Sequence, residues 1–214
     1  MFADPYRSAR LVYRAVDNPG DLDLFKRLGR DGNSYLSATP MNAIIPGTKQ
    51  AMGSMEKLEK ATIGVIICLP QEAEETKDSP KDKTDPDLIP IGQVHLGAQH
   101  PGMIHHRRAW LGISLLPEYQ GKGYGSEAIY WITDWAFLRA GLHKVQIGTF
   151  EYNEGAVRLY GKLGYKLEGR IREQWFQHGR WWDEFLFGMI DREWEKVKRN
   201  REQEDQTSAA KQLL

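Results

Sequence analysis

The stretch "LLPEYQGKGYGSEAIYWITDWAF", residues 115–137, decides how this chain is read. Gly121, Gly123 and Gly125 fall close together between an apolar run and a segment of helical period. Ala128, Ile129, Ile132, Trp135 and Ala136 share one face of that predicted helix. A glycine loop that feeds a helix exposes successive backbone N–H groups where the helix dipole adds partial positive charge. Glycine also lets the backbone approach a ligand with no Cβ in the way. The pattern predicts an anion site, with a tight strand-to-helix turn as the plainer alternative. The glycines alone leave both open.

Spacing sorts the phosphate-loop patterns. A Walker A loop fails, because Leu116 stands where its first glycine belongs and Gly123 follows Gly121-Lys122 in place of Ser or Thr. A dinucleotide fingerprint fails at Ser126, which occupies its third glycine position. The pattern Gln-x-x-Gly-x-Gly is met by Gln120, Gly123 and Gly125.

Outward from the loop, "RRAWLGISLL" (107–116) reads as the strand before it and "KVQIGTF" (144–150) as the strand after the helix, which Gly141 ends. Asn153 suits the N-cap of "EGAVRLYGKL" (154–163), whose Ala156, Val157, Tyr160 and Leu163 share a face, with Gly164 as the stop. "YKLEGRIREQWF" and "RWWDEFLFGMI" flank "QHG", which predicts a closing hairpin. Towards the N-terminus, residues 10–16, 61–70 and 89–99 read as strands, and Leu22, Phe25 and Leu28 as one face of a short helix. Residues 32–53 read as loop with a helical piece. The charged run 71–88, with little to bury, reads as a mobile insertion between two strands. From Asp191 onward a polar helix is expected, fraying into "TSAAKQLL". This order gives a mixed sheet with helices on its faces, in the α+β or α/β class.

Composition narrows the function. With 214 residues the chain can bury a core without staples. Lys+Arg and Asp+Glu both total 29, so neither general nucleic-acid binding nor charge-driven membrane targeting is supported. No run approaches a membrane span, and the start lacks the apolar core of a signal peptide, so a soluble cytoplasmic protein is expected. Cys68, the single cysteine, lies in "TIGVIICLP" and reads as a small buried hydrophobe. His105 and His106 beside two arginines read as a surface loop, because adjacent side chains on a strand point opposite ways; no metal site is expected. Trp175, Trp181 and Trp182 around the hairpin read as packing residues, with an acceptor pocket or the face of a homodimer as alternatives.

Taken together, "GISLLPEYQGKGYGSEAI" and "YNEGAVRLYGKLGYKLEG" resemble the acetyl-CoA-binding halves of the GNAT N-acetyltransferase superfamily. Within it, the chain is similar to the branch containing ribosomal-protein N-terminal acetyltransferases and spermidine acetyltransferases. The resemblance covers residues 8–192, with 193–214 as a polar helical tail. It implies the acyl-CoA N-acyltransferase fold, a central and mostly antiparallel mixed sheet flanked by helices.

The resemblance also implies acetyl-CoA as co-substrate, with its pyrophosphate on Gln120, Gly121, Lys122, Gly123, Tyr124, Gly125 and Ser126. Its pantetheine arm would run beside Ile113, Ser114 and Leu115, pairing like an extra strand. Asn153 matches the residue that bonds this arm, against its reading as an N-cap. Tyr160 matches the tyrosine that protonates the departing thiolate, against its reading as a core aromatic.

The implied chemistry is direct attack of a small amine, a polyamine or a protein N-terminus on the thioester, with a strand N–H holding the oxyanion. A non-catalytic acyl-CoA-binding module and a different acyl donor are the alternatives. Some relatives carry a glutamate on the fifth strand, five residues before the asparagine, where this chain has Gly148. Glu118, Glu151 and Asp183 are the remaining candidates for the base.

Overall fold

The computed structural model describes residues 4–41, 44–71 and 88–212. In chain order the elements are β1 (Val12–Arg14), α1 (Leu22–Arg30), α2 (Gly32–Ala38), α3 (Thr48–Glu59), β2 (Ile63–Pro70) and β3 (Leu88–Leu96). Next come β4 (Arg108–Leu115), α4 (Tyr124–Leu138), β5 (Lys144–Phe150), α5 (Glu154–Lys162), β6 (Lys166–Gln177), β7 (Arg180–Ile190) and α6 (Asp191–Gln212). The strands hydrogen-bond in the order β1-β2-β3-β4-β5-β7-β6. Only β4 and β5 are parallel, so the sheet is mixed and mostly antiparallel as expected.

The chain forms two compact units, one joining the residues up to Ala98 with Leu111–Ile132, the other joining Gln99–Trp110 with the chain from Thr133 onward. In the first unit, Val12, Leu24, Phe25, Ile66, Cys68 and Leu116 bury against Ala51, Met55 and Leu58 of α3. Those three α3 residues stand at helical spacing on one face. Residues 32–53 thus carry more helix than the sequence reading allowed. Gly53, the exposed Met52 and several polar residues dilute the periodicity of α3. α2 was marked by its cap, since Asp31 accepts the Ser34 N–H at 2.8 Å. β1 is shorter than the predicted 10–16. A turn comes after it in which the buried Asp21 carboxylate accepts two bonds from Arg14, at 2.8 and 2.6 Å, and the Asp17 N–H at 2.7 Å.

Cys68 is fully buried, and burial pushes its thiol up to about 11, so it is the inert hydrophobe expected. The predicted insertion at 71–88 lies, for residues 72–87, outside the described residues.

In the second unit, Val145, Ile147 and Thr149 of β5 and Phe187 and Met189 of β7 alternate into the core. β6 and β7 close through His178 and Gly179, whose φ of 53° and 76° are the positive pair that a two-residue hairpin requires. Gln177 itself is still paired, with Arg180. α6 is better anchored than its composition suggests. Trp194 is buried, its indole donates to Asp134 Oδ1 at 3.1 Å, and Lys198 reaches the same oxygen at 2.8 Å. The helix runs on through Gln212 rather than fraying at Thr207.

Candidate active site

The glycine loop hangs from the end of β4 in the first unit. Leu116 is buried and donates its N–H to Ile91 O at 2.9 Å, which fixes the point where the chain leaves the sheet. A single 3₁₀ turn over Pro117–Tyr119 comes next, capped by the Gln120 N–H on Pro117 O at 3.1 Å. The Gln120 side chain turns back to donate to Leu115 O at 2.9 Å and Ser34 Oγ at 3.1 Å. Gln120 therefore spends both its N–H and its amide on the chain: it shapes the loop.

Gly121 and Gly123 take φ of 71° and 85°, a region that side chains disfavour. From Gly121 to Ser126 no backbone N–H finds an acceptor among the described residues, and the first bond of α4 is Glu127 N–H to Gly123 O at 3.1 Å. Six successive donors are thus left unpaired at a helix N-terminus, with Lys122 among them.

Sequence reasoning missed the side chain that braces this loop. Arg10 donates through Nε to Glu127 Oε2 at 2.8 Å and through Nη1 to Lys122 O at 3.1 Å, while its guanidinium lies 4.6 Å from the centre of the Tyr124 ring. Glu127 Oε1 also accepts the Arg10 N–H and Ser8 Oγ, both at 2.7 Å. Burial acts to raise the Glu127 carboxyl, but these hydrogen bonds outweigh it and hold the group below the usual carboxylate range. No local signal marks Arg10, because its partners lie more than a hundred residues further along the chain.

Ile113, Ser114 and Leu115 pair with Val94, Gln93 and Gly92 of β3. The ladder between β4 and β5 is confined to Arg108–Trp110 against Lys144–Gln146. Ile113–Leu115 thus have a strand partner on one edge only among the described residues.

In the second unit Asn153 caps α5, its Oδ1 accepting the Ala156 N–H at 3.1 Å, so the cap reading holds. Tyr160 is 7% exposed and packs edge-on against Phe187, ring centroids 5.7 Å apart. Its hydroxyl has no hydrogen-bond partner among the described residues. Tyr165, equally buried, contrasts with it: its hydroxyl meets Thr133 Oγ1 at 2.7 Å. Burial pushes the Tyr160 phenol up to about 12, so it stays protonated at neutral pH and available as a donor.

The three carboxylates put forward as bases are otherwise engaged. Glu118 pairs with Arg27 at 2.6 Å in solvent. Glu151 pairs with Arg170 at 3.2 Å and accepts the Asp183 N–H at 3.2 Å. Asp183 accepts the Glu173 N–H at 2.8 Å and the Arg170 guanidinium, which together hold it below its ordinary range. The bonds of Glu151 and Asp183 tie β6 and β7 to the end of β5.

His105 and His106 sit exposed on a 3₁₀ turn, and no group of three metal-ligating side chains converges among the described residues. Trp175 packs edge-on against Phe150 and Trp182 against Tyr152, at 5.8 and 5.2 Å between centroids. Trp181 departs from the packing expectation, since it is 57% exposed. Among the described residues no helix is long and apolar enough to cross a membrane.

Comparison with known proteins agrees with this geometry. The Acetyltransferase (GNAT) family matches residues 79–165. The uncharacterized N-acetyltransferase YoaA of Bacillus subtilis is 29% identical over 139 residues, 64% of this chain and 76% of that protein. The spermidine N(1)-acetyltransferase of Escherichia coli K12 is 37% identical over 76 residues, which span 36% of this chain and only 41% of the relative. Among solved structures, the Vibrio cholerae spermidine N-acetyltransferase in complex with CoA and spermine aligns with a TM-score of 0.67 at 24% identity, covering 87% of this chain and 99% of that one. A GNAT-family acetyltransferase from Bacillus anthracis gives the same TM-score at 18% identity, covering 87% and 98%. At these identities the structural likeness establishes the fold, and the sequence matches cover part of the chain. Residues 79–165 match the GNAT acetyltransferase family, and the relatives that share this region are N-acetyltransferases.

Proposed function

We propose that this chain moves the acetyl group of acetyl-CoA onto a primary amine by direct attack, with residues 8–192 as the catalytic domain, 193–214 as its helical tail and the cytoplasm as its place of work. The run of unpartnered N–H groups from Gly121 to Ser126 carries the reading. It fits a pyrophosphate, because two of its glycines hold φ that other residues resist and a Cβ at Gly121 would meet nothing within 4 Å. Lys122 adds positive charge within the run, and Arg10, paired with Glu127, braces it. Gly121, Lys122, Gly123, Tyr124, Gly125 and Ser126 would hold the pyrophosphate, with Gln120 setting the loop. The one-sided edge of Ile113–Leu115 would pair with the pantetheine arm, and Asn153 would contact it while capping α5.

Acetyl-CoA supplies an activated carbonyl and a thiolate leaving group. The chain's share is to orient two substrates, worth up to ~7–11 kcal/mol in ideal cases, and to donate the Tyr160 proton to the departing sulfur. A covalent detour through cysteine finds no support, since Cys68 is the single cysteine and is sealed in the core. Spermidine acetyltransferases among the relatives make a polyamine the first acceptor to test, with peptide N-termini next.

The test is release of free CoA from acetyl-CoA with spermidine, arylamines, aminoglycosides and short peptides, for the wild type and Tyr160→Phe. Turnover with one class, sharply lowered in the variant, is the expected result. Binding of acetyl-CoA without turnover of any amine supports a non-catalytic acyl-CoA-binding module instead.

A further inference from the structure

Of the acidic residues close to β5, one has no cation to answer it. Glu184 stands on β7 opposite Phe150 of β5 and Ile171 of β6. No ion pair reaches its carboxyl among the described residues, in contrast to Asp183 and Glu151 next to it. Its position reflects a missing side chain. A Cβ added at Gly148 would lie 3.1 Å from Glu184 Oε1 and 3.8 Å from the Trp110 ring. The carboxyl of β7 therefore lies over the bare backbone of β5.

That spot has a meaning in the sheet. Trp110 and Gln146 are the last pair of the β4–β5 ladder, and Gly148 is the next β5 residue on the same face. Glu184 brings a carboxyl oxygen to the same place from the neighbouring strand.

We infer that Glu184 is the general base of the transfer, taking the proton of the acceptor ammonium above Gly148. This rests on the acetyl-transfer reading given above. Phe150 and Ile171 stand opposite it in the sheet, Trp110 shares the space over Gly148 and Trp175 lies beside it, none of which titrates near neutrality. Burial raises its carboxyl above the ordinary glutamate value. The buried Trp175 indole N–H lies beside the carboxyl and acts in the other direction, favouring the carboxylate.

In the step, the ammonium gives one proton to the Glu184 carboxylate and the freed lone pair forms the N–C bond. The C–S bond then breaks, the thiolate takes the Tyr160 proton, and the second nitrogen proton returns to the tyrosinate through water. Glu184 releases its proton to solvent, leaving amide, free CoA and one proton.

The test is the pH dependence of kcat/KM for wild type and Glu184→Gln on the acceptor that turns over, with acetyl-CoA affinity measured by calorimetry. Glutamine matches the shape of the carboxyl, so affinity for acetyl-CoA is expected to hold. At neutral pH the variant should lose about 10²–10³-fold in kcat/KM and its acid limb. The deficit should shrink towards the amine's own pKa, where solvent supplies the neutral nucleophile. Glu184→Gln combined with Gly148→Glu should recover part of the rate, and Glu184→Asp should keep the acid limb at reduced rate. A Glu184→Gln enzyme within about threefold of wild type, with an unchanged acid limb, overturns the assignment and leaves the transferase reading intact. Acetyl-CoA binding without wild-type turnover of any amine removes both.

Discussion

An alanine scan of the three loop glycines separates what the fold needs from what the ligand needs. At Gly121 (φ 71°) an added Cβ meets nothing, so alanine costs only the left-handed backbone, roughly 1–2 kcal/mol. At Gly123 (φ 85°) the Cβ would also stand 3.2 Å from Arg10 Nη2. That guanidinium is held by Glu127 at 2.8 Å and the Lys122 carbonyl at 3.1 Å, so it yields only by loosening a hydrogen bond. The bond adds about 1 kcal/mol, bringing Gly123→Ala to ~2–3 kcal/mol.

Gly125 has the opposite sign. It lies in the first turn of α4 without positive φ, and its Cβ would meet only Leu115 Cδ1, at an ordinary 3.6 Å. Gly125→Ala should therefore stabilise the ligand-free chain by ~0.4–1 kcal/mol. The same methyl would stand among the Tyr124–Ser126 N–H groups and should weaken acetyl-CoA about tenfold or more, ~1.4 kcal/mol. Urea unfolding gives the first quantity and calorimetry the second. Unchanged acetyl-CoA affinity in Gly125→Ala refutes the loop as the pyrophosphate cradle. Equal stability of the Gly121 and Gly123 variants refutes the role given to Arg10.

Three further outcomes are expected. Tyr160→Phe should lower kcat by about 10²–10⁴-fold with little loss of stability, because its hydroxyl has no bond to lose. Tyr165→Phe should cost ~1 kcal/mol of stability with a smaller effect on turnover, because its hydroxyl is tied to Thr133. Glu127 is held below the usual carboxylate range, so its stabilising effect is present at neutral pH and lost as pH falls through its folded pKa. The Tm gap between wild type and Glu127→Gln should thus be widest near neutrality and close in acid, as thermal melts across pH will show.

The sequence was most legible where chemistry is local. The apolar runs of β2, β4 and β5, the hairpin at His178-Gly179 and the glycine loop each announce themselves within about ten residues. Tyr160 and Asn153 were reached through a motif whose parts lie close together. The features that escaped depend on distant parts of the chain. Arg10 matters only because β1 brings it to Lys122 and Glu127, and Glu184 only because β7 pairs beside Gly148. The one trace of Glu184 in the sequence is an acid at the centre of "RWWDEFLFGMI", adjacent to Asp183 but on the opposite face. Gln120 fits the motif by its spacing, yet its amide is turned inward to Leu115 and Ser34. The anchoring of α6 by Trp194 was hidden because one buried tryptophan hardly shows in a segment otherwise polar.

In the proposed reaction the acetyl carbon of acetyl-CoA ends on an amine nitrogen. The most direct measurement is product analysis by mass spectrometry after incubating the protein with isotopically labelled acetyl-CoA and an equimolar mixture of polyamines and short peptides. Labelled acetyl on the amine nitrogen of one acceptor class, in step with free CoA and with no label left on the protein, is the expected result. Label found only as free acetate or on the polypeptide, or acetyl-CoA recovered intact, would contradict it.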